Sequence, residues 1–179
     1  MNVLNLYFTS TGNTEKVAVS IGETAQDLGH KVDTVKITTK DIDIDILGYE
    51  FVFVGSGVYA LLPGQPLIEL FRGLLRKYGG DGEIQLAAPR RPSAKTVVYC
   101  TYGGAHTGVN EAIPTVKYLG QLFDHLGYTI VAEWYIVGEY KLERFREHSI
   151  VGRLGDIRGR PNEQDLQQVA EKVKGIFRI

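Results

Sequence analysis

The chain has 179 residues, 44% of them apolar and 23% charged, enough for one domain with a sizeable buried core and too apolar for a disordered segment. The 20 basic and 21 acidic residues nearly cancel, which removes any bulk electrostatic case for nucleic acid or an anionic membrane as partner. A single cysteine, Cys100, excludes an intrachain disulfide and a cysteine-held metal or iron–sulfur cluster within the chain; inside its apolar run it reads as a small buried hydrophobe. Neither a basic-then-apolar leader nor an apolar run of the roughly 18 residues a membrane span needs is present, so a cytoplasmic location is expected.

Leu4 to Phe8 reads as a short apolar strand, and Val17, Ala18, Ile21, Ala25 and Leu28 form one stripe of an amphipathic helix. Between them lies Thr9-Ser10-Thr11-Gly12-Asn13-Thr14. A turn leading straight into a helix aims backbone N–H groups and the positive end of the macrodipole at one point, which suits a phosphate. The hydroxyls of Thr9, Ser10, Thr11 and Thr14 can donate to it, and Gly12 permits a backbone angle that a side chain forbids. Neither Lys nor Arg occurs between Thr9 and Glu15, unlike a nucleoside-triphosphate loop. Neutral donors fit a monoester tail held for long periods better than a leaving group. The bland alternative is a Ser/Thr cap on the first helix.

This hydroxyl-rich turn after an apolar strand resembles the FMN-phosphate signature of the flavodoxin family. The resemblance implies a five-stranded parallel sheet that holds FMN without a covalent bond and passes electrons. Flavodoxins are in general acidic and this chain is not, so a basic patch on its redox partner does not follow from the resemblance.

Gly29 closes the first helix, and Val32, Val35 and Ile37 make a second strand. Asp41-Ile42-Asp43-Ile44-Asp45 alternates acid with isoleucine; with no His nearby it reads as a solvated edge or connection rather than a metal site. Phe51 to Gly55 is apolar at almost every position, as a central parallel strand should be. Ser56-Gly57-Val58-Tyr59-Ala60 follows, beyond the carboxyl end of that strand, where open α/β sheets bind ligands. The resemblance places this loop on the edge and one face of the isoalloxazine, with Gly57 free to reorient its peptide group toward flavin N5 and Tyr59 stacked on or flanking the ring. A surface or core aromatic without a ligand is the plainer account of Tyr59.

Leu67, Leu70, Phe71, Leu74 and Tyr78 give the next helix its stripe, and residues 79–94 form a long polar loop whose Arg90 and Arg91 face solvent or an acidic partner. Lys95 to Thr101 is the fourth strand. It delivers Thr101-Tyr102-Gly103-Gly104-Ala105-His106, where paired glycines beside an aromatic suit close approach to a planar ring. The resemblance sets this loop around the pyrimidine end, with Tyr102 the leading candidate to stack on the flavin. Its Tyr-Gly-Gly spelling is similar to flavodoxin domains found beside ferredoxin modules in anaerobes. His106 is either a pH-sensitive neighbour of the ring or a plain loop histidine.

Val116, Leu119, Phe123 and Leu126 mark a further helix, and Thr129 to Val137 the fifth strand. Residues 138–160 are longer and more charged than a connection requires, which leaves a lid, a docking surface or a simple excursion. Pro161-Asn162-Glu163-Gln164-Asp165 caps a last helix with Leu166, Val169, Val173 and Phe177 on its stripe.

The expected architecture is a doubly wound α/β three-layer sandwich with strand order 2-1-3-4-5, one domain over 1–179. FMN is expected across the ends of the first strand (Thr9, Ser10, Thr11, Gly12, Asn13, Thr14), the third (Ser56, Gly57, Val58, Tyr59, Ala60) and the fourth (Thr101, Tyr102, Gly103, Gly104, His106). The protein then tunes a flavin and needs neither a catalytic acid or base nor a metal. Its partners are expected to be redox proteins, a ferredoxin-like carrier or a reductase among them. An NAD(P)H-dependent quinone or flavin reductase of the same fold is the alternative, and it requires an open ring face. A receiver-type signalling domain would need an acceptor Asp where Ser56 and Gly57 stand, and a flavin-free interaction module would need the first loop to be only a cap.

Overall fold

A computed structural model describes residues 1–39 and 42–178. Five strands, β1 (Asn2–Phe8), β2 (Lys31–Lys36), β3 (Phe51–Gly57), β4 (Lys95–Tyr102) and β5 (Thr129–Val137), pair in parallel in the order β2-β1-β3-β4-β5. Among the described residues five α-helices accompany them: α1 (Asn13–Asp27), α2 (Gln65–Gly80), α3 (Ile113–His125), the single turn α4 (His148–Val151) and α5 (Glu163–Ile176). The doubly wound architecture and strand order read from the sequence are those observed.

The central strand β3 is buried at every position, because helices cover both faces of the sheet. One face packs Leu4, Leu6, Val52 and Val54 against α2 and α3; the other packs Val3, Phe51, Phe53 and Tyr99 against α1 and α5. Burial of each such side chain contributes about 1.5–3 kcal/mol. Polar groups inside the sheet are paired: Asn5 donates to the Ala18 carbonyl at 2.7 Å and accepts from Tyr99 at 3.1 Å. Cys100 is fully buried and its thiol is pushed well up by burial, which leaves it inert.

Several local readings change. Leu28 ends the α1 stripe as its exposed C-cap rather than as core. Asp41 lies outside the described residues. Of its neighbours, Asp45 caps the 3₁₀ turn Ile46–Gly48 and accepts from Tyr78 at 3.0 Å, and no group of metal-ligating side chains occurs among the described residues. Arg90 and Arg91 keep solvent-exposed side chains, 63% and 39%, as expected, and also reach back to the chain. They donate to the carbonyls of Tyr128 (2.6 Å) and Leu126 (2.9 Å), where α3 runs into β5 and Leu126 is the α3 C-cap.

Residues 138–160 fold as an ordered strap tied across the carboxyl ends of the strands. The Ser149 hydroxyl accepts from the Tyr140 N–H at 2.8 Å and its carbonyl from Ile157 at 2.9 Å, while Glu139 donates to the Arg160 carbonyl and Arg153 to that of Ala105. Ile157 is buried beneath it.

Candidate functional site

The strand register brings Phe8, Ser56 and Cys100 level, so the loops after β1, β3 and β4 open at one end of the sheet. Together with the strap they enclose a cavity of about 620 Å³. Its walls include Thr9, Ser10, Thr11, Asn13 and Thr14 from the first loop and helix, Gly57, Val58, Tyr59 and Ala60 from the second, and Thr101, Tyr102, Gly103, Gly104 and His106 from the third. Two residues singled out with these do not line it. Gly12 lies behind the nest at φ +89°, its N–H donating to Thr9 Oγ1 at 3.0 Å, and Ser56 is buried, donating to the Gly57 carbonyl and accepting from the Gly64 N–H. Both shape loops rather than the cavity surface.

The first loop forms an uncharged nest. Among the described residues, the N–H groups of Thr11, Asn13, Thr14 and Glu15 find no acceptor in the chain, as expected for the open first turn of a helix. Nearby charges are engaged elsewhere: Lys16 Nζ donates to the Pro161 carbonyl, and Glu15 accepts from Lys36 at 3.0 Å and from Tyr7 at 3.1 Å. The Lys36 bond holds the Glu15 carboxyl below its usual range, while burial and then Glu15 push the Tyr7 phenol up to about 12. Thr14 and Thr101 share a buried hydrogen bond of 2.8 Å that clamps the nest to the end of β4.

Asn13 carries a sharper signal. Its Nδ2 donates to the Glu139 carbonyl at 2.8 Å, and its Oδ1 is buried without a hydrogen-bond partner. An orphaned acceptor in a cavity wall beside a nest of free donors calls for a ligand that brings both an anion and a hydroxyl. Gly138 leaves room for this side chain; a Cβ there would sit 2.9 Å from Asn13 Nδ2.

Tyr59 fills part of the nest. Its hydroxyl accepts from the Ser10 N–H at 2.9 Å and shares a second 2.9 Å bond with Ser10 Oγ. The ring folds back over Gly57 and meets Phe8 edge-on at 5.6 Å between centroids. Tyr59 and Leu62 pair across a two-residue turn in which Ala60 and Leu61 take φ values of +47° and +71°, a left-handed pair that normally selects Asn-Gly.

The third loop meets the strap. Tyr102 is 9% exposed, packed with the α2 and α3 core while lining the cavity, and burial raises its phenol pKa. The aromatic that lies against the glycine pair is Tyr140: a Cβ on Gly103 would overlap its ring, and its hydroxyl accepts from the Ala105 N–H at 3.4 Å. Leu61, Glu111, Gly138 to Leu142, Arg144 and Phe145 complete the walls; none was expected as a flavin contact, although residues 138–160 were read as a lid, a docking surface or an excursion.

A structural search places the chain beside flavodoxin 1 from Bacillus cereus, at a TM-score of 0.69 and 11% identity, with 99% of this chain and 98% of that one covered. The fold is a flavodoxin fold. A flavodoxin from Streptococcus pneumonia TIGR4 aligns at 0.62 and 18% identity over 98% of this chain and 99% of that one. A flavodoxin, WrbA-like protein from Agrobacterium tumefaciens aligns at 0.60 and 12% over 99% and 97%. No protein-family model and no curated protein matches the sequence. In this flavodoxin fold the cavity lies at the reversal of strand order between β1 and β3, where doubly wound sheets take their ligands.

Proposed function

We propose that the cavity holds FMN and that the protein passes electrons through it to and from redox proteins, with 1–179 acting as one flavodoxin-like domain. The observation that carries this reading is the nest with four unpartnered N–H groups and no cation, at the head of α1 in a flavodoxin-like fold. A phosphate monoester would take those donors, and a ribityl hydroxyl would give Asn13 Oδ1 the hydrogen bond it lacks. When bound, the flavin supplies one- and two-electron redox chemistry of its own. The chain's part is to grip the tail, to set the loops after β3 and β4 around the ring, and to exclude water with the strap.

The test is the colour of the purified protein. Flavin absorption that survives desalting, in a 1:1 ratio to protein and with photoreduction in separate one-electron stages, is the expected result. Protein that stays colourless in excess FMN would overturn the assignment. Steady NADPH oxidation with a quinone as acceptor would make it a reductase instead.

A further inference from the structure

The two edges of the sheet are built differently. β2, at one end, carries Lys31, Asp33 and Lys36 in six residues, charges of the kind that keep a free edge unpaired. β5, at the other, has nine residues of which Glu133 alone is charged. The Gly138 N–H donates to the Tyr102 carbonyl, so the alternation along the ladder turns the N–H and C=O groups of Glu133, Tyr135 and Val137 away from β4. Among the described residues none of these outward groups has a hydrogen-bond partner. A groove of about 230 Å³ lies between Lys117, Gln121 and Asp124 of α3 and Ile130, Ala132 and Glu133 of β5, so the helix leaves that flank of the strand uncovered.

The side chains of this edge complement a copy of themselves. On the α3 face, Glu133 accepts from Lys117 Nζ at 2.7 Å and from the Tyr135 hydroxyl at 3.1 Å. Burial and then Glu133 push the Tyr135 phenol up to about 12, so it stays a donor wherever the carboxylate is ionised. Trp134 and Ile136 point the other way, into the core shared with α5. The ladder slips between Ile130 and Ala132, which leaves Ala132 to Ile136 as a regular stretch with Trp134 at its midpoint. An antiparallel copy related by a two-fold axis through Trp134 sets Glu133 opposite Tyr135 of the second copy, and Tyr135 opposite its Glu133. Each such pair exchanges both backbone hydrogen bonds and brings a phenol to a carboxylate. Centring on Glu133 would instead oppose two carboxylates, and centring on Tyr135 would set Glu133 against Val137.

We propose that β5 is a dimer edge, at which two copies of this chain pair antiparallel through residues 132–136 and join their sheets across a two-fold axis at Trp134. The outward N–H and C=O groups supply the affinity, and the two Glu133–Tyr135 pairs fix the register. The contact is isologous and uses up the edge on both copies, while the charged β2 edges stop further addition, so the product is a closed pair rather than a fibre. Glu133 and Tyr135 do not line the cavity, so the pairing stands apart from the FMN reading.

The experiment is sedimentation velocity of the full chain without flavin, from about 1 to 300 µM, the affinity range of a small interface. The sedimenting species should double in mass across that range. Hydrogen exchange followed over the same concentrations should show the amides of Glu133 and Tyr135 gaining protection, while those of β2 exchange as before. Tyr135→Glu opposes carboxylates across the axis and should weaken the dimer about tenfold or more. Adding Glu133→Lys to that variant sets each new lysine against the other copy's new glutamate and should restore the pairing. Circular-dichroism melting shows that each variant folds. A chain that stays monomeric to the top of the range would overturn the dimer edge. So would a dimer whose Glu133 and Tyr135 amides exchange as freely as in the monomer, or a folded double variant that pairs no better than Tyr135→Glu alone.

Discussion

The Tyr59 hydroxyl lies 2.9 Å from the Ser10 N–H and 2.9 Å from Ser10 Oγ, so a side chain of the second loop sits where an anion would enter the first. A phosphate reaching Ser10 must displace that hydroxyl. Removing it while keeping the ring tests whether the contact competes with the ligand. Tyr59→Phe should tighten FMN about three- to tenfold, the worth of one hydrogen bond no longer broken, and leave riboflavin unchanged. Fluorescence titration measures both; weaker FMN binding would mean that Tyr59 helps to hold the phosphate.

The hydroxyls of the nest give the opposite sign. Replacing Thr11 and Thr14 together by Ala removes two donors and the 2.8 Å clamp from Thr14 to Thr101. FMN should weaken about tenfold or more while riboflavin loses far less, since only FMN brings a phosphate. Equal losses for the two would show that the nest does not meet the tail. Thr101→Ala breaks the clamp alone and separates positioning from donation.

The central strand and the nest were legible because local signals suffice for both, an apolar run at every position of β3 and hydroxyls crowded ahead of an amphipathic stripe, while the strand order came with the resemblance to the flavodoxin family. The strap was not. Its defining contacts join residues far apart, such as Asn13 with Glu139 and Gly103 with Tyr140, and neither leaves a periodic trace in the chain. The glycine pair announced a close approach, but the ring that lies against Gly103 is the protein's own. The turn at Ala60 and Leu61 was hidden for another reason, since neither residue is one that favours positive φ.

That turn predicts a gain. Leu61 at φ +71° is half exposed and bears conformational strain that glycine does not feel. Leu61→Gly should stabilise the flavin-free protein by about 1 kcal/mol, a rise of roughly 2–4 °C in melting temperature. Calorimetry on both chains checks it. An unchanged or lower melting temperature would mean that the Leu61 side chain contributes packing that outweighs the strain.

Asp165 couples the strap to α5 and makes stability depend on pH. Its carboxylate receives two bonds from Arg160, one of 2.8 Å from Nε, and closes the capping box with Asn162. Arg160 in turn accepts the Glu139 N–H, so the pair anchors the strap at the cavity wall. The Arg160 bond is the main cause that holds Asp165 below the usual carboxylate range, with burial opposing it. A carboxyl more acidic in the folded chain adds stability fully present above its unfolded value of about 3.9 and lost as pH falls through the lower folded value. Asp165→Asn should therefore melt several degrees below the native chain at pH 7, and the gap should close as the pH falls through the lower folded value. A gap of constant size from pH 7 to the acid limit would show that Asp165 contributes through packing alone.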